Sequence, residues 1–504
     1  MSNDYIEAAR AFHEVTKHSY TSVRSSPHYL DWDIKPLPYK IYPGAASIAL
    51  PRDLNLSSTP ALAALSSHVP PDFSASIDAA ALTRMLFCAG GLTRHKRVGP
   101  DDYHFRAAAS AGALYPIEFY VAAASVEGLE AGLYHFSPAD LKMVGLRRGD
   151  WRGFIAAAAA QRPSILHAQA VIALSSIYWR SEWKYRARAY RYCYWDAGTI
   201  LANLLAAAAA EEISAEVIAA FEDPALEALL GIDGDNEGMV ALVALGHADD
   251  AAAASPKVDP LALETVPLSS REVEYPDLVK IHRESRLVSA DEVAAVSKAK
   301  LDSTALKGGA EAIRLETIAS EESAGLGETI LRRGSSRAFA QEPIAAAELA
   351  TIMAASSEPP QADFPRLTDT YLIVNAADGL ECGAYYYDRH AHAFELLKRG
   401  NFRGEAGYLC LEQPLGMDCS ALIVYMADLE RVLRALGNRG YGDAHLEAGI
   451  LGGRAYLAAY SLGRGATGLT FYDDDTTKFF GSHASGKSPL LMVALGLPRS
   501  QAKS

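Results

Sequence analysis

The chain repeats itself, and that repeat restricts the fold more than any other feature. GLYHF begins at Gly132 and GAYYYD at Gly383, 251 residues later. RRGDWRGF at Arg147 and KRGNFRGE at Lys398 keep this spacing, as do DAG at Asp196 and EAG at Glu447. Each triplet leads into an Ala/Leu-rich helical pattern and then an acidic turn, FED at Phe221 and YDD at Tyr472. A constant offset across four blocks marks an internal duplication rather than chance likeness between Ala-rich helices. Upstream the offset changes. IDAAAL at Ile77 matches IAAAEL at Ile344, 267 residues apart, so the first copy carries 16 more residues (267 − 251) before GLYHF.

Each copy reads in the same order. A short amphipathic helix precedes a strand such as EFYVAAA or TYLIVNA, and a turn and second strand follow. Next comes a long Ala-rich helix, 195–211 or 446–462, then a strand and a short helix. An apolar strand closes the copy at 239–246 or 490–496. This order predicts an α+β sheet covered by helices in each half. Residues 61–250 and 326–504 are the two expected domains. Residues 1–60 read as an N-terminal arm. Residues 251–325, rich in Ala, Ser, Pro and charge without a long periodic core, read as a connecting arm.

With 504 residues and 50% hydrophobic content, the chain can build two cores. A net charge of −14 argues against a general nucleic-acid binder. Five cysteines without a CxxC make a poor disulfide framework and suit a reducing compartment. No His/Cys/Asp spacing resembles a metal site. The N-terminus shows no cationic segment leading into an apolar core, and the most apolar run, Thr199 to Ala210, is too short to span a bilayer. A cytoplasmic protein without a membrane segment is expected.

Several stretches resemble the flavin-dependent nitroreductase superfamily, specifically its SagB-type dehydrogenase branch. TKHS from Thr16 and HYLDWDIKPLPYKIY from His28 are similar to that branch's leader segment. RAAASAGALYP from Arg106 resembles its RxxPSAGALYP motif, with Ala109 where the branch usually has Pro. WKYRARAYRYCYWDAG from Trp183 resembles its Lys-Tyr motif and the helix behind it. LRRGSSRAFAQEPIAAAEL from Leu331 resembles the superfamily's RxSxR signature. The resemblance spans both copies. It implies two nitroreductase-like α+β domains, each a mostly antiparallel sheet covered by helices. They would pair as an intrachain pseudo-dimer with FMN in the cleft between them.

The same resemblance implies roles for individual residues. Arg333, Ser335, Ser336 and Arg337 read as the start of a helix, where free amides and cations suit the FMN phosphate; a capped, solvated helix start is the plainer reading. Arg499 and Lys503 could add charge near the phosphate or belong to a polar tail. Ala109, Ser110, Ala111, Gly112 and Ala113 form a loop with little side chain, able to approach a flat ring closely. Arg106 could face the ring's pyrimidine edge or the phosphate. Gly468, Leu469 and Thr470 match the stretch whose amides meet the flavin's N5 and O4, or form an ordinary helix-to-strand turn. Lys184 and Tyr185 are the expected catalytic pair, a base with lowered pKa being needed when hydride leaves a neighbouring carbon. The alternative is a cationic cluster, with Arg186, Arg188 and Arg191, that holds carboxylates.

The copies differ in what they keep. At the RGSSR positions copy one has SSHVP from Ser66, and copy two has Ala435 and Leu436 at the Lys-Tyr positions. Copy two also lacks SAGALYP and has SEPPQADFPRL in its place, in a stretch 16 residues shorter overall. The retained parts add up to one composite cleft. The leading expectation is a SagB-type FMN-dependent oxidoreductase acting on a small-molecule, modified-peptide or carrier-bound substrate, azoline to azole being one such reaction. A peptide-modifying complex or carrier protein would be its partner, in natural-product biosynthesis. The alternatives are an NAD(P)H-dependent nitro- or quinone reductase and a non-catalytic flavin-binding scaffold subunit.

Overall fold

A computed structural model describes residues 3–26, 28–98, 101–253, 257–261, 263–301 and 312–499. Each copy builds one seven-stranded sheet, and the two sheets share one strand order. The first runs Ser47–Ala49, Lys142–Arg148, Gly132–Ser137, Ile117–Ala123, Ala170–Ile177, Glu237–Leu245, Ala215–Ile218. The second runs Ala312–Arg314, Ala393–Arg399, Gly383–Asp388, Asp369–Val374, Ala421–Ala427, Ser488–Gly496, Gly465–Leu469. All neighbours in both sheets are antiparallel. Strands Ile117–Ala123 and Ala170–Ile177 are buried at every position, because helices cover both faces. The sequence reading places the first of these strands and lacks the second, which precedes the long helix.

The two segments read as arms contribute structure of their own. Ser47–Ala49 and Ala312–Arg314 each add the outermost strand of one sheet. Residues 251–325, read as an arm without a long periodic core, hold two short helices. Helices Pro276–Ser285 and Ala290–Ser297 bury Leu278, Ile281, Val293 and Val296. Their apolar stripes are only two turns long, too short to stand out from charged surroundings. The N-terminal helix Glu7–Val15 lies on the second copy, where Asn3 Oδ1 accepts from Arg439 N at 2.8 Å and Asn438 Oδ1 from Ala9 N at 3.0 Å.

The 16 extra residues of copy one have a clear form. Helix Ala79–Gly90 corresponds to Ala346–Ser357, and between the first and strand Ile117–Ala123 stands a hairpin of strands Leu92–Val98 and Asp101–Arg106. Copy two has no counterpart to it among the described residues.

Two long helices, Ala189–Ala210 and Arg439–Ser461, pack against each other at the centre. Both begin earlier than the Ala-rich pattern suggests. Tyr190, Tyr192, Tyr194 and Tyr441 in their first turns are buried, and burial outweighs weak helix propensity there. The helices meet at Gly198 and Gly449, residues related by the 251 offset. A Cβ on Gly198 would stand 2.5 Å from the Gly449 backbone, and one on Gly449 would stand 2.6 Å from Trp195 O. Equivalent residues touching each other define a local two-fold axis.

The acidic turns complete this symmetry. Arg188 and Arg191 of copy one reach Asp473 of copy two at 3.1 and 2.7 Å. Arg439, the counterpart of Arg188, reaches Asp223 of copy one at 3.0 Å. Each pair is buried, so Arg188 and Arg191 are inter-copy ties rather than surface charges. No helix among the described residues is long and apolar enough to cross a membrane.

Replacing Gly449 with Val should drive the long helices apart, because the obstructing atoms are backbone. The expected loss, read by chemical denaturation, is about 1–3 kcal/mol or more. Gly404→Ala, where a Cβ meets nothing within 4 Å, should leave stability unchanged or slightly higher.

Candidate functional site

The cleft that unites the predicted residues lies where the inserted hairpin of copy one meets the edge of copy two. Its first wall is the loop Ala109–Tyr115. Ser110 Oγ donates to the Asp196 carboxylate and accepts from Tyr115 N at 2.9 Å; Ala111 N donates to Asp196 Oδ1 at 2.9 Å. Thr199 Oγ1 ties the Ala109 carbonyl at 2.6 Å. Gly112, Ala113 and Tyr115 have φ of 65°, 54° and 50°, so the loop coils tightly through left-handed conformations. Gly112 is required twice over: by its φ, and because a Cβ there would stand 2.7 Å from Tyr185 Oη and 3.2 Å from Lys184 Nζ. Gly112 and Ala113 are exposed.

Arg106 sits deeper than expected. Its guanidinium donates to the carbonyls of Pro38 at 2.7 Å and Ile117 at 3.3 Å, between the rings of Tyr39 and Tyr115. It ties the N-terminal arm to the central strand.

The second wall belongs to copy two. Residues 333–338 are not the start of a helix, as the sequence suggests. Arg333 caps the C-terminus of helix Leu326–Arg332, and the chain then runs extended along strand Gly465–Leu469, Ser336 N donating to Ala466 O at 2.9 Å. This ladder contact outweighs the helical pattern read from the following residues. The Arg333 guanidinium crosses to copy one and donates to the carbonyls of Arg106 and Ala107, each at 2.8 Å. Ser335 Oγ lies 3.4 Å from Tyr456 Oη, which accepts from Gly468 N. Gly468 is exposed and Leu469 buried. Thr470 Oγ1 meets Tyr192 Oη and His18 Nδ1, each at 3.3 Å, and Tyr192 packs edge-on against Tyr185 with ring centres 4.4 Å apart. Arg499 is brought alongside by its backbone, which donates to Ala338 O at 3.0 Å; its side chain is 3.9 Å from Asp418. Lys503 lies outside the described residues.

Charge in this cleft is one-sided. Lys184 and Arg337 have no carboxylate partner among the described residues. Burial, then the Arg337 charge, holds the Lys184 ammonium below the usual lysine range. Tyr185 moves the other way: burial, with Tyr192 and Asp196 adding to it, pushes its phenol up. Of the pair read as candidate bases, only Lys184 has the lowered pKa. Beneath the loop, burial pushes Asp196 up to about 7 despite its two donors.

The symmetry-related cleft is built differently. Val217 occupies the Gly468 position (468 − 251), and its N–H donates to Gln361 O at 2.8 Å. Ala219 N and Ala220 N donate to the Asp363 carboxylate at 2.8 and 3.1 Å. Residues 361–363 therefore cover this strand end in the second cleft, whereas in the first Gly468 N meets the Tyr456 hydroxyl. Ala435 and Leu436 end helix Leu429–Leu436, as Lys184 and Tyr185 end helix Tyr178–Tyr185.

Sequence reasoning missed His18, Tyr192, Asp196 and Tyr456 as parts of the first cleft. Asp196 stood in the repeat block DAG and His18 in TKHS, but no spacing shows that either reaches a loop or strand so distant in the chain.

These features can be set beside known proteins. A model of the nitroreductase family matches residues 72–247 and 330–497, one region in each copy. The crystal structure of a nitroreductase-named protein from Anabaena variabilis is 28% identical, covers 98% of this chain and 99% of its own, and superposes with a TM-score of 0.80. The nitroreductase-named protein MJ1384 of Methanocaldococcus jannaschii is 28% identical over 181 residues, 34% of this chain and 90% of that protein. Two nitroreductase-like domains thus form one pseudo-dimer, and the chain belongs to the nitroreductase family.

Proposed function

We propose that the first cleft holds FMN and that the chain is an FMN-dependent oxidoreductase of the SagB type. Its substrate would be a small molecule, or a peptide- or carrier-bound group such as an azoline ring. The observation that carries this reading is the convergence of three distant segments: Gly112 against Lys184 and Tyr185, Lys184 beside Arg337, and Tyr192 on Thr470. The residues present suit a phosphate-bearing flat ligand. Among the described residues Lys184 and Arg337 lack counter-ions and the buried Ser336 Oγ has no partner, and Gly468 is exposed on the strand edge.

In this reading Arg333, Ser335, Ser336, Arg337 and Arg499 hold the phosphate end. Ala109, Ser110, Ala111, Gly112 and Ala113, on the loop that Arg106 anchors, and Gly468, Leu469 and Thr470 line the ring. Bound there, FMN would supply a two-electron acceptor for a hydride. Lys184, neutral once its depressed pKa is passed, takes the proton from the atom next to the carbon that loses hydride. Tyr185, its phenol kept neutral, donates a hydrogen bond and orients the substrate. The upward shift of Tyr185 also favours a second reading, an NAD(P)H-dependent nitro- or quinone reductase in which the pair only positions substrate. A cytoplasmic setting, with a carrier protein or peptide-modifying complex as partner, belongs to the first reading. A non-catalytic scaffold would bind flavin without turnover.

Three outcomes test this. Purified protein should saturate at one FMN per chain, measured by absorbance after denaturation; two per chain would contradict the asymmetry of the clefts. Arg337→Ala should weaken FMN retention about tenfold or more, the usual effect of losing a charge-assisted phosphate contact, whereas His68→Ala in copy one should not.

Lys184→Ala should leave the protein yellow and lower turnover about a hundred- to ten-thousand-fold. A base must be deprotonated, so wild-type kcat/KM should rise with pH through a pKa below the ordinary lysine value of 10.5, and the variant should lose that limb. Loss of FMN from Lys184→Ala would make it an anchor instead. Rapid flavin reduction by NADPH in both proteins would favour the reductase.

A further inference from the structure

The second cleft is closed over its strand edge yet open at its other end. A cavity of about 450 Å³ remains there, next to the SSHVP segment that replaces RGSSR. Helix Ala61–Ser66 and the residues after it form one side, and helix Ala346–Ser357 forms another. Thr317, Ile318 and Ser320 of the connecting arm add a third.

Arg454, on the second long helix, lines this cavity and is only 8% exposed. Its Nη1 donates to Glu358 O at 2.7 Å. Neither Nε nor Nη2 has a hydrogen-bond partner, and the guanidinium has no ion pair, among the described residues. The Glu358 side chain is exposed and acts on Arg454 only at longer range, opposed by Arg366. Burial lowers the Arg454 pKa to about 10, which leaves it cationic at neutral pH.

Packing does not demand this charge. The equivalent residue of copy one is Asn203 (454 − 251), a neutral amide that donates to the carbonyls of Cys88 at 2.8 Å and Ala107 at 3.1 Å. A buried cation without a counter-ion is costly in a fold that accommodates a neutral group at the same place.

We propose that this cavity binds a small-molecule oxyanion, a carboxylate or a phosphate, on the free Nε–Nη2 edge of Arg454. That edge presents two parallel donors at the spacing of two oxygens on one carbon or phosphorus. Ser66, Ser67 and His68 at the rim supply further polar groups, and Leu62 and Leu65 supply an apolar side. The volume falls within the range of small-ligand pockets. Because residues 361–363 cover the strand amides, the occupant lacks a flavin-sized ring lying on them. The site is separate from the one proposed for FMN and does not depend on it.

The test is calorimetric titration of FMN-saturated protein with inorganic phosphate and, separately, with succinate. At least one should bind saturably at one per chain without displacing flavin, and the two arms distinguish phosphate from carboxylate chemistry. Arg454→Gln should weaken that binding at least about tenfold. Ser66→Asp, which sets a carboxylate at the exposed rim and leaves the long helix untouched, should abolish it. Flavin content, read in the same samples, should stay constant in both variants. Absence of saturable binding by the wild type, or undiminished binding in both variants, would overturn the proposal. So would binding that Arg337→Ala removes while Arg454→Gln does not, since that places the anion in the first cleft.

Discussion

The approach of Gly198 to Gly449 is the contact on which the rest of the molecule depends. Without side chains at these positions, the two long helices touch backbone to backbone. Gly453 continues the seam, since a Cβ there would stand 2.6 Å from the Ala202 methyl. Such proximity brings the Lys184–Tyr185 end of one copy within reach of the strand Gly465–Leu469 of the other. Larger residues would widen the gap, and a cleft made of two halves would lose contact between them. The buried pairs Arg188–Asp473 and Arg439–Asp223 then fix rotation about the axis. Buried ion pairs add little net stability over apolar packing, but a misaligned one leaves a charge unpaired, so they penalise every other docking.

A dimer of identical chains carries two identical clefts, because its symmetry repeats any substitution on both sides. Covalent duplication removes that restriction. Here the two clefts have diverged at one strand edge. The Gly468 amide donates to the Tyr456 hydroxyl, while the corresponding amide of Val217 is bonded to Gln361, and those of Ala219 and Ala220 to Asp363. The same register of the same strand thus meets a side-chain hydroxyl in one cleft and the chain's own backbone in the other. The inserted hairpin of copy one adds to the difference, because it ends at Arg106 and Ala107, whose carbonyls hold Arg333.

Electrostatics divides the first cleft in a similar way. The charge of the exposed Arg337 acts on the half-buried Lys184, and neither has a carboxylate partner among the described residues. Tyr185 is subject to the same burial with the opposite result, because burial favours the neutral form: the amine for lysine, the phenol for tyrosine. One environment therefore makes the Lys184 ammonium easier to deprotonate and keeps the neighbouring Tyr185 phenol neutral.

Much of the architecture was legible in the linear chain. The 251-residue offset announced two like domains, the apolar runs located the central strands, and the small residues of SAGALYP marked a tight loop. These features are local or periodic, and a single strand or helix expresses them in its own residues. What only the tertiary structure decided depends on residues far apart in the chain. Residues 333–338 run extended because Ser336 bonds Ala466 across the sheet edge, a contact that their own helical pattern cannot show. The helices of 276–297 exist because Leu278, Ile281 and Val293 find a core to bury in. His18 and Tyr192 meet at Thr470, and Asp196 holds the loop at Ser110, only because the glycine seam brings the copies into register. Arg454 and Asn203 occupy one position in the repeat, and three-dimensional surroundings alone make the first a cation at a cavity without an ion pair among the described residues and the second a satisfied amide.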